Sequence, residues 1–380
     1  MADFNISSRQ RDLVEEVRAV ALDSIAPVAG RLDEEGDGSF SFGPAKTLAE
    51  SNLLTPTVPE EYGGRGLDYF STALMLEELG AVCAGVATVV AANIHAASPI
   101  ILAGTGRQKE KFLSALTNAR PNLAAFALTE SQSGSDIAAI ATLAKKEGNY
   151  WEISGVKDYV INGGVAHFTT LFAATDMDSK IAGMLAFIIP EGAPGFKVGA
   201  VRRKMGIRYA RTVELVLERA MVSQDLAIGP RGGAYLLLMQ TFDRGRALSG
   251  AVGVGIARAA YEYALQFSKE RQRFGRSVFS QQAISFALAE LAIKIESARL
   301  LVWKACWLID NDLDYTLASS MAKIAGSQVA QESAAAAMDI CGGRGFLKDY
   351  PVERYLRDAR VLSLIEGTNH IQKAIIASLL

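Results

Sequence analysis

Thr212-Val-Glu-Leu-Val-Leu217 places Val213, Leu215 and Leu217 on one side of an extended chain and Thr212, Glu214 and Val216 on the other. Such period-two alternation marks a half-buried strand. WEISG (151–155) and MLAFIIP (184–190) share this character, and Gly, Asn and Pro cut the chain into short runs from Asn122 to about Ile228. This region is expected to be a β-domain, a small barrel or sandwich. Outward from it the pattern turns helical on both sides. Ser7 or Ser8 can cap a first helix with Leu13, Val17, Val20 and Ile25 on one face. Pro44–Leu54, Phe70 to about Ala103 and Gln108–Ala119 read as further helices around the turn-rich PTVPEEYGGRGLD (56–68). Past Pro230 helix returns to the end of the chain. Ala283–Asp310 carries Leu288, Leu291, Ile295, Ala298, Val302 and Ala305 and is apolar on more than one face. That suits a helix inside a bundle or a subunit interface. The expected units are 1–121 (α), 122–230 (β) and 231–380 (α), an α+β chain without internal repeats.

Composition narrows the function. The 380 residues, half of them hydrophobic, can bury a large core. A formal charge of −2 from 39 basic and 41 acidic residues gives no global field for nucleic acid or anionic lipid. Cys83, Cys306 and Cys341 show no CxxC spacing, which argues against zinc and against a disulfide framework. His95, His167 and His370 lack ligand spacing, so no metal is expected. The N-terminus has no signal-peptide core, and no apolar segment is expected to span a bilayer, so a cytoplasmic protein without membrane contact is the starting expectation.

Several stretches could carry chemistry, each with a plainer reading beside it. GAVGVGIA (250–257) has the glycines of a nucleotide loop but lies inside a helical run with no strand before it, so close helix packing is expected instead. FALTESQSGSD (126–136) could aim N–H groups and a hydroxyl at an anion, or be a polar connection between strands. KERQRFGRS (269–277) ends a long helix with Gly275 as a natural stop, which leaves Phe274 unexplained at a charged terminus. ICGGRGF (340–346) permits close backbone approach to a ligand, or is a helix cap. VLSLIEGT (361–368) sets Glu366 in an apolar run, either a boundary residue or a base in a dry site.

The order of these stretches resembles the acyl-CoA dehydrogenase family of flavoproteins over essentially the whole chain. PEEYGGRGLD (59–68), ALTESQSGSD (127–136), Asn162-Gly-Gly164, ERQRFG (270–275), GGRGF (342–346), YPVERYLRDAR (350–360) and IEGT (365–368) carry the likeness. It implies an N-terminal helical domain, a central β-barrel or sandwich and a C-terminal four-helix bundle. It also implies a homotetramer with one FAD per subunit, an acyl-CoA substrate, and an electron-transfer flavoprotein as acceptor. An acyl-CoA oxidase, or an enzyme acting on carrier-protein thioesters, is the alternative on the same scaffold.

Residue by residue, the resemblance makes Glu366 the base that removes the thioester α-proton. The apolar neighbours Leu364 and Ile365 are expected to strengthen it. Phe126, Leu128, Thr129 and Ser135 would lie along the flavin, with Ser135 also near the CoA chain, and Thr368 would hydrogen-bond the cofactor. Arg271, Phe274 and Gln282, with Gly342 and Gly343, would reach the FAD of a neighbouring subunit. Asp243, Arg246, Ile365 and Gly367 would meet the thioester and pantetheine. Ala91 would line an acyl pocket formed partly by 85–93, where Ala87, Ala91 and Ala92 are small. That suggests a compact, branched or alicyclic acyl group. Tyr159, Ile161, Asp339 and His370 depart from the family's residues at cofactor positions: Ile161 offers no hydroxyl, and Asp339 would bond a ribose rather than a phosphate.

Overall fold

The computed structural model describes residues 5–36, 39–118, 120–176, 178, 181–230 and 232–380. Helices α1 (Ser8–Val20), α2 (Ala29–Glu35), α3 (Gly43–Glu50), α4 (Tyr69–Val82), α5 (Ala84–Ala103) and α6 (Gly106–Leu116) come first. Ser7 caps α1 in a reciprocal pair with Gln10, and Leu13, Val17 and Ile25 are buried as their spacing predicts. Helix α3 stops at Glu50, short of the expected Leu54, with Pro44 in its first turn. The expected end of α6 at Ala119 lies outside the described residues.

The long helical reading from Phe70 resolves into two helices broken at Cys83, whose backbone is extended (φ −153°, ψ 101°). Both are buried almost all round, so no polar stripe in the sequence marked the break. Helix α5 corrects a second expectation. Its 20 residues are long and apolar enough to cross a membrane, yet they pack on α4, α7 and the sheet as a core helix, with 72% of the apolar window buried.

The central region holds β1 (Leu123–Ala127), β2 (Leu143–Glu147), β3 (Tyr150–Ile161), β4 (Ala166–Ala174), β5 (Met184–Pro190), β6 (Phe196–Val201), β7 (Thr212–Ser223) and β8 (Ala227–Ile228). The sheet runs β6-β7-β3-β2-β4-β5-β8, and β1 lies parallel to β4. Only Leu143↔Ala174 joins β2 to β4, so two lobes meet there and fold over a shared core. Val213, Leu215 and Leu217 enter that core beside Trp151, Ile153 and Phe187. β3 bulges between Lys157 and Val160, which gives Tyr159 a positive φ of 57° and turns it outward.

The last region comprises α7 (Ala234–Glu270), α8 (Gln282–Asp310), α9 (Thr316–Cys341), α10 (Val352–Leu362) and α11 (Asn369–Leu379). The glycines of 250–257 serve helix packing. A Cβ at Gly250 would meet Ala322 O at 2.7 Å, and one at Gly253 would meet Gly326 O at 2.5 Å. Helix α7 ends at Glu270, before the expected stop at Gly275. Gly275 (φ 77°) instead turns a short hairpin of β9 (Gln272–Arg273) and β10 (Arg276–Ser277). All six apolar residues foreseen on α8 are buried, while Phe286 and Ile293 stand out on its other face.

Candidate active site

Most of a narrow cavity is formed by α5, α7 and the turn between α10 and α11. Thr88, Ala91, Ala92 and His95 line it from α5, and Arg244, Gly245, Leu248 and Val252 line it from α7. Ile161, Leu362, Ile365 and Glu366 complete the walls around about 30 Å³ of space. Ala87 is fully buried in the core and does not line this space, although it is one turn from Ala91 on the same helix. Leu364 also departs from expectation. It is 51% exposed, and Leu362 and Ile365 supply the apolar wall instead.

Glu366 has a positive φ of 55°, followed by Gly367 at 79°. A non-glycine residue holds that conformation only when its surroundings impose it. Here the imposing groups are visible. Lys323 Nζ, on α9, donates to Gly367 O at 2.9 Å and to Asn369 Oδ1 at 2.8 Å. Gln372 Nε2 donates to Glu366 O at 3.1 Å and to Gly367 O at 3.2 Å. Thr368 Oγ1 accepts from Ile371 N and so caps α11, leaving its O–H to donate elsewhere. Among the described residues no acceptor meets the Glu366 N–H.

Charge converges on the same point. His95 Nδ1 stands 3.4 Å from Glu366 Oε2. Burial holds the His95 pKa below its usual value, opposed by Glu366 and assisted by Arg246. Burial pushes Lys323 down to about 8. Arg246 and Asp243, which flank the lining residues Arg244 and Gly245 on α7, are both buried and pair with each other, and Thr316 Oγ1 donates to Asp243 Oδ2 at 2.8 Å. Burial lifts the Asp243 pKa and lowers that of Arg246.

A second surface adjoins the cavity through Phe126, whose ring meets His95 edge-on at 4.3 Å. The loop after β1 is tied to β3 by Lys157 Nζ donating to Leu128 O and by Asp158 N donating to Thr129 O, both at 2.8 Å. Leu128 and Thr129 thereby lie beside Tyr159 and Ile161. The Leu128 and Thr129 N–H groups find no acceptor among the described residues. Ser135 is exposed further along this loop, and His370 is exposed on the first turn of α11.

The remaining candidates are elsewhere. Arg271, Phe274 and Gln282 follow the far end of α7, where α9 also ends at Gly342 and Gly343, with Asp339 exposed on its last turn. From Arg246 to that end the helix runs on the order of 37 Å at 1.5 Å per residue. These residues cannot share a site with Glu366 of the same chain. Phe274, 93% exposed at φ 52°, is held out from the body of the protein. Sequence reasoning passed over His95, Lys323, Gln372 and Arg244. Only Lys323 carried a signal, a lysine set among small and apolar residues in SMAKIAG (320–326).

Three sequence profiles cover the chain: acyl-CoA dehydrogenase, N-terminal domain (7–120), middle domain (125–220) and C-terminal domain (232–380). The short-chain-specific acyl-CoA dehydrogenase of Clostridium acetobutylicum is 36% identical over 376 residues, covering 99% of this chain and 98% of that protein. Butyryl-CoA dehydrogenase from Megasphaera elsdenii superposes with a TM-score of 0.96 at 35% identity, over 100% of this chain and 99% of that one. A chain from a structure described as the electron transferring flavoprotein of Acidaminococcus fermentans gives a TM-score of 0.96 at 36% identity, over 100% of both. With a helical, sheet and helical architecture matched from end to end, this chain belongs to the acyl-CoA dehydrogenase family of FAD-dependent oxidoreductases.

Proposed function

We propose that this protein dehydrogenates a short or compact acyl-CoA at Cα–Cβ, with Glu366 as the base. The observation that carries this is the Glu366 carboxylate at the wall of a narrow, mostly apolar cavity, next to its own unpaired N–H. A thioester α-proton is weakly acidic, so removal needs a placed carboxylate and a donor for the developing enolate oxygen. One residue offers both. Arg246, Lys323 and His95 surround the carboxylate without forming a tight ion pair to it. The small cavity suits a short, branched or alicyclic acyl group better than a long chain, as do the short-chain relatives.

The residues fit FAD. The unpaired N–H groups of Leu128 and Thr129 match the acceptor edge of a flavin, near the outward Tyr159 and the half-buried Ile161 at the cavity wall. FAD supplies the hydride acceptor when bound. Phe126, Ser135, Thr368 and His370 belong to that surface in this reading, and Gly367 with Asp243 borders the thioester. The distant set of Arg271, Phe274, Gln282, Asp339, Gly342 and Gly343 would serve the cofactor of a neighbouring subunit. The exposed Phe286 and Ile293, seven residues apart on α8, offer a face for the homotetramer. An electron-transfer flavoprotein as acceptor and a cytoplasmic location complete the proposal.

Ile161 favours one second reading, since its side chain offers no hydrogen bond at the cavity wall: an oxidase, or an enzyme of carrier-protein thioesters. Rapid reoxidation of the reduced protein by O2 with product bound would select it. The main test is flavin bleaching near 450 nm across a panel of acyl-CoA substrates, for wild type and Glu366→Gln. The variant is expected to keep its flavin and bind acyl-CoA while bleaching at least about a hundredfold more slowly. Wild-type bleaching in the variant would move the base elsewhere.

A further inference from the structure

His95 lies in an apolar helix and is 5% exposed, yet it is the polar side chain nearest the Glu366 carboxylate from α5. Its ring is fixed on two sides, by Phe126 at 4.3 Å and Phe242 at 5.4 Å between centroids. On the third side is the backbone of Gly245. A Cβ there would stand 2.5 Å from His95 Nδ1 and 3.2 Å from Glu366 Oε2, so residue 245 must lack one for the imidazole and carboxylate to face each other. Glu366 Oε2 and His95 Nε2 are buried and have no hydrogen-bond partner among the described residues. The Nδ1 to Oε2 separation of 3.4 Å is one small movement from a hydrogen bond, and such contacts tighten when substrate binds.

We propose that His95 is a positioning residue for the base, its Nδ1–H holding Glu366 Oε2 so that the other carboxylate oxygen is turned to the substrate. The inference rests on the reading of Glu366 as base. With Nδ1 protonated and the buried Nε2 bare, the imidazole is neutral and the pair carries a single negative charge. Two groups bear on that state: Glu366 favours the imidazolium, while Arg246 on α7 joins burial in opposing it. The ring does not take the substrate proton, because Nδ1 already carries one. It sets the carboxylate's rotation and spares it a search among rotamers at each turnover.

The test compares His95→Leu, which removes the donor, with His95→Asn, whose amide can stand where Nδ1–H stands. In the FAD-loaded enzyme, His95→Leu is expected to slow single-turnover bleaching tenfold or more while the Kd for acyl-CoA stays within about twofold. His95→Asn should recover most of that rate. A second readout is free of turnover. With histidines at only positions 95, 167 and 370, the His95 ring can be assigned by NMR and titrated in wild type and Glu366→Gln. Loss of the carboxylate charge should lower the His95 pKa. Wild-type bleaching in His95→Leu, or equal loss of rate and affinity in both His95 variants, overturns the proposal. So does an unchanged titration in Glu366→Gln. Normal bleaching in Glu366→Gln overturns the base assignment itself, a separable result.

Discussion

Lys323 Nζ donates to the carbonyl oxygen of Gly367 at 2.9 Å, so a bundle helix holds the backbone of the turn that presents Glu366. The lysine is fully buried and makes a second bond to Asn369 Oδ1 at 2.8 Å. Together with Gln372 it occupies the carbonyls of a turn whose two central residues both have positive φ.

Replacing Lys323 with Met keeps the stem's packing and removes both donated bonds. Gly367 O keeps Gln372 Nε2 and Asn369 Oδ1 keeps Ser327 Oγ, both at 3.2 Å, so the cost is that of two lost hydrogen bonds, about 1–3 kcal/mol. We expect a lower melting temperature, and a drop in single-turnover rate larger than the loss of acyl-CoA affinity. The readout is bleaching at 450 nm alongside thermal unfolding of the same preparation. A variant that melts lower but bleaches at the wild-type rate would confine Lys323 to stability.

The contrast between Val213 and Leu364 shows what sequence could and could not convey. Val213, Leu215 and Leu217 are buried because strand geometry fixes which neighbours share a face, and local periodicity reports that directly. Leu364 sits in a turn, where no period operates, and it faces solvent despite its apolar neighbours. The break at Cys83 was hidden because α4 and α5 are buried on nearly every side. Glu366 was legible through resemblance, whereas His95 was not. Its meaning depends on a contact between residues remote in the chain, and on an absent Cβ at Gly245 in a third element. The far set around Arg271 carried family likeness that assigns it to a neighbouring subunit, and the length of α7 gives the physical reason that it cannot serve this chain's own base.

The N-terminus of α4 should give stability a dependence on pH. Asp310 accepts from Tyr69 N at 2.7 Å and Phe70 N at 2.8 Å, while Asp68 caps the same turn through Ser71 N. Burial lifts the Asp310 pKa to about 6 even though both N–H groups oppose the shift. The folded state therefore holds this proton more tightly than the unfolded chain, whose value is 3.8. The resulting stabilisation is full below the unfolded value and disappears as pH rises through about 6. From pH 7 to pH 5 wild type should gain roughly 1 kcal/mol relative to Asp310→Asn, which cannot titrate. Thermal unfolding of both proteins at several pH values provides the measurement. Parallel curves would mean that Asp310 is solvated well enough to titrate normally.

The buried Lys157–Glu130 pair ties the cofactor-side loop to β3 and gives the most direct test of that surface. Their atoms meet at 2.7 Å, and the carboxylate also accepts from Ala141 N at 2.8 Å and Thr142 N at 2.9 Å. Burial pushes Lys157 down to about 8 against the pull of Glu130, whereas for Glu130 burial is outweighed and its pKa falls. Because Lys157 also donates to Leu128 O, losing it frees the backbone whose N–H groups face the flavin in our reading. Lys157→Met should cost about 3–5 kcal/mol, since it strands a buried carboxylate. Glu130→Gln should cost less, because the amide oxygen can still accept from the loop. Lys157→Met should also lose FAD faster on dilution, visible as a lower ratio of absorbance at 450 to 280 nm. Full flavin occupancy with a large drop in melting temperature would separate the pair's structural role from cofactor retention, and would assign Leu128 and Thr129 a lesser part in holding the ring.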